Sequence, residues 1–115
     1  MKKKIFVIVP GYNEEKHIQQ VITDIKKNGF ENIIFIDDGG TDFSAQKAQK
    51  TGAEVLRHLV NLGKGAATVT GCDYAIKQGA DILILMDSDG QHKAKDLKRM
   101  IPYFKKNDVV FTYRS

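Results

Sequence analysis

The feature that most constrains this chain is an alternation. Short strand-length runs recur at 5–9, 32–36, 54–57, 82–86 and 109–112, the first rich in β-branched residues, with stretches of helical length between them. In 14–27, Ile18, Val21, Ile22 and Ile25 fall at helical spacing, and Asn28-Gly29 supplies a stop. A second helix is expected from a cap at Thr41 or Asp42 to about Thr51, ended by Gly52. A third spans 64–78 and stops at Gly79. A fourth runs from about Ala94 to Lys105 and is bent near Pro102. The run 82–86 is apolar throughout, as a strand covered on both faces should be. Strand, helix and strand in short succession imply parallel strands joined by right-handed crossovers. The expected fold is therefore a Rossmann-like three-layer α/β/α sandwich with a mostly parallel sheet.

Length allows one such unit: 115 residues suffice for one small core and not for two. With 42% hydrophobic and 28% charged residues, the chain belongs with ordinary globular proteins rather than disordered ones. No apolar run approaches the roughly 20 residues a membrane span requires. The basic start Lys2–Lys4 is followed by too short an apolar stretch for a signal peptide, so a cytoplasmic location is expected, with at most peripheral attachment to the inner face of a membrane. Cys72 is alone and excludes a disulfide framework within one chain; it reads as a core thiol on a helix. The net charge of +4 comes from scattered lysines, and no basic-aromatic interleaving marks a nucleic-acid platform. The chain stops behind its last strand with no helix to cover it. That suits a piece of a longer domain, and the bare edge offers a route to homo-oligomers.

The unusual polar residues sit where strands end. Pro10-Gly11-Tyr12-Asn13-Glu14 follows the first, Asp37-Asp38-Gly39-Gly40-Thr41-Asp42 the second, and Asp87-Ser88-Asp89-Gly90-Gln91-His92 the fourth. In a parallel sheet these ends share one edge, where open α/β sheets bind ligands. Asp87 and Asp89, two apart, point to one side, and a hard cation offsets the cost of gathering such carboxylates. Mg²⁺ or Mn²⁺ is held in this way, by one or two carboxylates plus substrate phosphates; an Asp-Gly turn with a helix cap is the alternative use. Asp37-Asp38 serves either as a turn or as an acceptor for a base N–H. Tyr12 either stacks on a planar base or covers the sheet edge. Asn61-Leu62-Gly63-Lys64-Gly65 opens a helix and offers backbone N–H groups and the Lys64 ammonium to an anion. His17, His58 and His92 share no metal-ligand spacing.

Taken in order, 9–15, 36–42, 61–65 and 87–92 resemble the family 2 glycosyltransferases along the whole chain, and the Asp-x-Asp-x-Gln-His form is similar to the polyprenyl-phosphate sugar synthases. The resemblance implies a GT-A fold, a UDP- or GDP-sugar donor, a divalent metal (Mg²⁺ or Mn²⁺) and transfer with inversion, with a polyprenyl phosphate as the favoured acceptor. It places Pro10, Tyr12 and Glu14 along the nucleoside pocket, and Ile36 and Asp38 against the base, with Asp38 reading an N–H. Asp87, Ser88 and Asp89 would hold ribose, diphosphate and metal, with Gln91 in the metal shell and Arg114 near the phosphates. Two positions depart from the pattern. Gly40 replaces the usual serine, which should loosen its turn, and Tyr113 precedes Arg114 where a small residue is usual. The resemblance implies that the acceptor site and the group that deprotonates the acceptor lie mostly beyond the point where this chain stops, so no catalytic base is assigned, and the chain alone is expected to bind donor weakly and turn over poorly or not at all.

Three rivals follow from the same residues. Asp87-Ser88-Asp89-Gly90 echoes haloacid-dehalogenase-type phosphatases, whose nucleophilic aspartate follows the first strand of the core rather than the fourth. A receiver-like module would carry its acidic pair after strand one. A non-catalytic fragment would bind nucleotide sugar, or self-associate, without turnover.

Overall fold

A computed structural model describes residues 3–88, 101–103 and 105–111. The strands are β1 (Ile5–Gly11), β2 (Asn32–Asp38), β3 (Glu54–His58), β4 (Ile82–Leu85) and β5 (Asp108–Phe111); the helices are α1 (Ile18–Lys27), α2 (Ser44–Lys50) and α3 (Lys64–Lys77). All strand pairs are parallel and the sheet order is β3-β2-β1-β4-β5.

Alternation along the strands sorts side chains onto two faces. Val7, Val9, Ile33, Phe35 and Ile84 pack with Ile18, Val21, Ile22 and Ile25 of α1 and Ala48 of α2. Phe6, Ile8, Ile34, Ile36 and Leu83 pack with Ala67 and Ala75 of α3 on the other face. The three-layer sandwich expected from the alternation is present. The order explains why α3 stands apart. β1 to β3 step in one direction across the sheet, whereas the next crossover returns past β1. A right-handed connection in the reverse direction must use the opposite face. Small residues let α3 come close: a Cβ on Gly71 would lie 2.5 Å from Ile36 Cδ1 and 2.6 Å from Ile8 Cγ2.

Several boundaries differ from expectation for identifiable reasons. β1 and β2 run on through Gly11 and Asp38, because the ladder pairs Gly11 with Asp37, and Asp37 and Asp38 with Arg57 and His58, although those ends are not apolar. α1 starts at Ile18 rather than Glu14; residues 15–17 form a turn in which His17 N–H and Ile18 N–H both donate to Glu14 O. Neither Thr41 nor Asp42 is the N-cap of α2: Phe43 holds that position without a side-chain cap, and Asp42 just before it accepts from Ser44 N–H (3.0 Å) and Ser44 Oγ (2.5 Å). Of the expected helix over 94–105, the described part is a single 3₁₀ turn, Ile101–Tyr103, with Pro102 at its centre. Cys72 is a free, half-buried thiol on α3, packed against the core, and burial together with the neighbouring Asp73 charge raises its pKa.

Candidate functional site

A cavity of about 610 Å³ opens at the C-terminal edge of the sheet, at the ends of β1, β2 and β4 and the start of α3. It lies where the chain turns back, with β1 between β2 and β4, the switch point at which open α/β sheets bind ligands. Pro10, Gly11, Tyr12 and Glu14 contribute from β1 and the loop after it, Asp38 from β2, Asn61, Gly63, Lys64 and Ala67 from the start of α3, and Asp87 and Ser88 from the end of β4. The three polar clusters separated in sequence thus meet in one place.

They are also wired to one another. Asn13, at φ 53°, accepts Thr41 N–H on its Oδ1 at 2.8 Å. Glu14 N–H donates to Ser44 Oγ (2.8 Å) and Glu15 N–H to Asp42 Oδ2 (3.1 Å), so the turn leading into α1 is capped by the loop that follows β2. Asp42 consequently keeps its proton weakly: burial works against its charge, but the bonds from Ser44 and Glu15 outweigh burial and lower its pKa.

Gly39 and Gly40 make the close approaches. Gly39 sits at φ 72°, and a Cβ there would come within 2.3 Å of the Val60 carbonyl carbon and 2.4 Å of Asn61 N. Only glycine satisfies both conditions. Gly40 N–H donates to Asp37 Oδ1 at 3.0 Å, and a Cβ on it would stand 2.7 Å from that oxygen. The turn is therefore pinned rather than loosened by glycine at this position. The other oxygen of fully buried Asp37 makes no hydrogen bond; Arg57 Nε lies 3.4 Å from it as an ion pair without hydrogen-bond alignment.

Asp38 is held by three hydrogen bonds. Its Oδ1 accepts Leu62 N–H (3.0 Å) and faces His58 Nδ1 (2.7 Å), and its Oδ2 accepts Gly63 N–H (2.8 Å). His58 reaches Thr70 Oγ1 of α3 with its other nitrogen, at 2.8 Å. Burial is the largest single effect on Asp38 and opposes ionisation, but the bonds from Leu62, His58 and Gly63 together prevail and lower its pKa. Asp38 thus shapes the loop before α3 as well as lining the cavity.

Opposite it, Lys64 Nζ donates to Asp87 Oδ1, bringing a cation and a carboxylate together at the cavity. Gly11 makes room for Ser88: a Cβ on Gly11 would meet Ser88 Oγ at 2.7 Å. Tyr12 lines the cavity while remaining 49% exposed. Among the described residues no three His, Cys, Asp or Glu side chains gather as a metal-ligand set. The Asp87 carboxylate is nonetheless the kind of oxygen donor a hard cation uses when it takes much of its coordination from phosphates and water.

Of the residues singled out from sequence, Pro10, Tyr12, Glu14, Asp38, Lys64, Asp87 and Ser88 line the cavity. Ile36 does not: it is fully buried beneath α3, beside Gly71 and among the apolar side chains of that face. Asp89, Gln91 and Arg114 lie outside the described residues. Sequence reasoning passed over His58 and Thr70. A histidine at a strand end carries no distinguishing pattern, and its role appears only when β3 is set in register beside β2.

The family model for glycosyl transferase family 2 matches residues 6–114. One curated relative is the UDP-N-acetylglucosamine–dolichyl-phosphate N-acetylglucosaminyltransferase of Methanococcus voltae. It is 34% identical over 116 aligned positions, which take in 86% of this chain and 46% of the relative. Among solved structures, S. aureus TarS superposes with a TM-score of 0.71 at 27% identity, over 87% of this chain and 32% of that one. Glucosyl-3-phosphoglycerate synthase from Mycobacterium tuberculosis, solved with Mn²⁺, UDP and phosphoglyceric acid, gives 0.62 at 29% identity over 75% of this chain and 33% of its own. The chain spans about half the length of the curated relatives it matches. A phosphatase or receiver would need its key aspartate after β1, whereas here the acidic ends follow β2 and β4. The GT-A arrangement of the sheet, the cavity at its switch point and the match over 6–114 agree, and this chain belongs to glycosyl transferase family 2.

Proposed function

We propose that residues 1–115 are the donor-binding part of a metal-dependent, inverting glycosyltransferase that moves a sugar from a UDP- or GDP-sugar to a polyprenyl phosphate. The observation that carries this reading is the convergence of Tyr12, Asp38, Lys64, Asp87 and Ser88 on one cavity. The Methanococcus relative, named for a UDP-sugar donor and a dolichyl-phosphate acceptor, supports the substrate classes; the Mn²⁺- and UDP-bound mycobacterial structure supports a divalent cation.

Each residue then has a physical task. Tyr12 offers a stacking face to the base, an arrangement that contributes about 1–3 kcal/mol in aromatic–base contacts. Lys64 and the start of α3 attract the diphosphate. Asp87, Asp89 and Gln91 would hold the cation, with Ser88 contacting the donor and Arg114 approaching the phosphates. When bound, Mg²⁺ or Mn²⁺ supplies neutralisation of charge on the departing diphosphate. A phosphate acceptor is already anionic near neutral pH, its second pKa being about 6, so the reaction needs no strong carboxylate base from this chain.

Such an acceptor implies work at a membrane surface, although no helix among the described residues is long and apolar enough to cross one. Among the described residues β5 is an outer strand of the sheet, and its outer edge would offer pairing for self-association. The direct test is calorimetry of this chain with UDP-N-acetylglucosamine, UDP-glucose or GDP-mannose, in Mn²⁺ and again with a chelator. Donor binding that disappears with the chelator is expected. Undiminished binding under chelation removes the cation, and failure of every donor to bind removes the donor site.

A further inference from the structure

The hydrogen-bond inventory of Asp38 narrows the choice of nucleotide. A carboxylate offers about four acceptor positions. At Asp38, Leu62 N–H and His58 Nδ1 occupy Oδ1, and Gly63 N–H occupies one position on Oδ2. One position remains, on Oδ2, in a side chain that lines the cavity and is only 4% exposed.

His58 sets this count. Its Nδ1 faces a carboxylate and so carries a hydrogen, while its Nε2 meets the Thr70 hydroxyl, which either donates or accepts. The ring is held at both ends, between β2 and α3, and Asp38 is held with it.

Resting on the donor-site reading above, we propose that His58 is a positioning residue that leaves Asp38 one acceptor position for the donor base, so that the site selects uridine over guanosine diphosphates. Uracil presents one N–H between two carbonyls. Guanine presents two adjacent N–H groups and pairs best with both oxygens of a carboxylate. With Oδ1 full, the second guanine donor is left without a partner. A site whose polar groups match one partner rejects another that leaves a buried group unpaired.

The test is calorimetry on the full chain in Mn²⁺ with UDP, GDP and 3-methyl-UDP, whose base lacks the N–H. UDP is expected to bind about tenfold or more tighter than either of the others. His58→Asn, whose amide nitrogen stands near the place of Nδ1, should keep the preference for UDP over GDP; His58→Ala, which frees a second acceptor position on Asp38, should lose it. A histidine that merely packs would change all affinities together and leave that ratio intact. Should His58→Ala fail to fold, Thr70→Val releases one end of the ring and should reduce the same ratio. Equal affinity for UDP and GDP, or for UDP and 3-methyl-UDP, overturns the inference and leaves the donor site standing. No binding of any nucleotide overturns both.

Discussion

Replacing Asp38 by alanine removes three hydrogen bonds at once, and the structure gives the size of the effect. Bonds to a charged acceptor contribute about 1.5–3 kcal/mol each when fully shielded. The His58 bond is shielded, the imidazole being 11% exposed and the carboxylate 4%, and should count in full. Leu62 and half-buried Gly63 lie on a loop that water reaches, so their amides recover part of what they lose. The sum is about 3–4 kcal/mol, taken as one full bond and two partial ones. For a domain of this size that lowers Tm by about 12–16 °C, at roughly 4 °C per kcal/mol. Urea unfolding followed by far-UV dichroism measures it, with Asp24→Ala as the control: Asp24 is exposed on α1, and its loss should shift stability by less than about 0.5 kcal/mol. The pH dependence has a definite sign. Asp38 has a lowered pKa in the folded protein, so its contribution is complete above the unfolded value of about 3.9 and is lost as pH falls through the lower folded value. The gap between wild type and Asp38→Ala should therefore be constant from pH 5 to 7, to order of magnitude, and close only in acid, below about pH 4. A variant within about 1 kcal/mol of wild type at neutral pH would refute the view that this carboxylate anchors the loop before α3.

Two further substitutions test the close approaches. Gly39→Ala meets Val60 and Asn61 backbone below 2.5 Å at a positive φ, so the loops after β2 and β3 must separate; a loss above about 3 kcal/mol in the same urea assay is expected. Gly11→Ala pushes on the Ser88 hydroxyl and the Phe35 ring; it should cost about 1–3 kcal/mol of stability and weaken UDP binding, measured by calorimetry, through displacement of Ser88.

Much of the architecture was legible because packing wrote it into side-chain type. The strand-length runs 5–9, 32–36 and 82–86 mark strands buried on both faces, and the Ile18–Ile25 stripe marks the buried side of α1. The gathering of Tyr12, Asp38, Asp87 and Ser88 followed from parallel strands alone, since every C-terminal end then shares an edge. What escaped the sequence depends on neighbours rather than on pattern. The strand character of Asp37 and Asp38 comes from ladder bonds that are indifferent to polarity, and their alternation sends the first toward Arg57 and the second toward His58 and α3. Ile36 was assigned to the base by resemblance, yet alternation places it in the core on the face that α3 covers. Lys64 pairing with Asp87 requires α3 to start beside the end of β4, a fact of topology that no local motif encodes.

The central claim is that three strand ends build one site for a metal-bound diphosphate. Mn²⁺ is paramagnetic and broadens amide resonances close to it, so the direct measurement is a ¹⁵N-resolved spectrum recorded with Mn²⁺, with and without UDP. Broadening of Gly11, Lys64, Asp87 and Ser88 that requires UDP, with Lys4, Gln78 and Asp81 at the far edge of the sheet unaffected, is the predicted result. Broadening centred away from those four amides, or the same broadening without nucleotide, would contradict it.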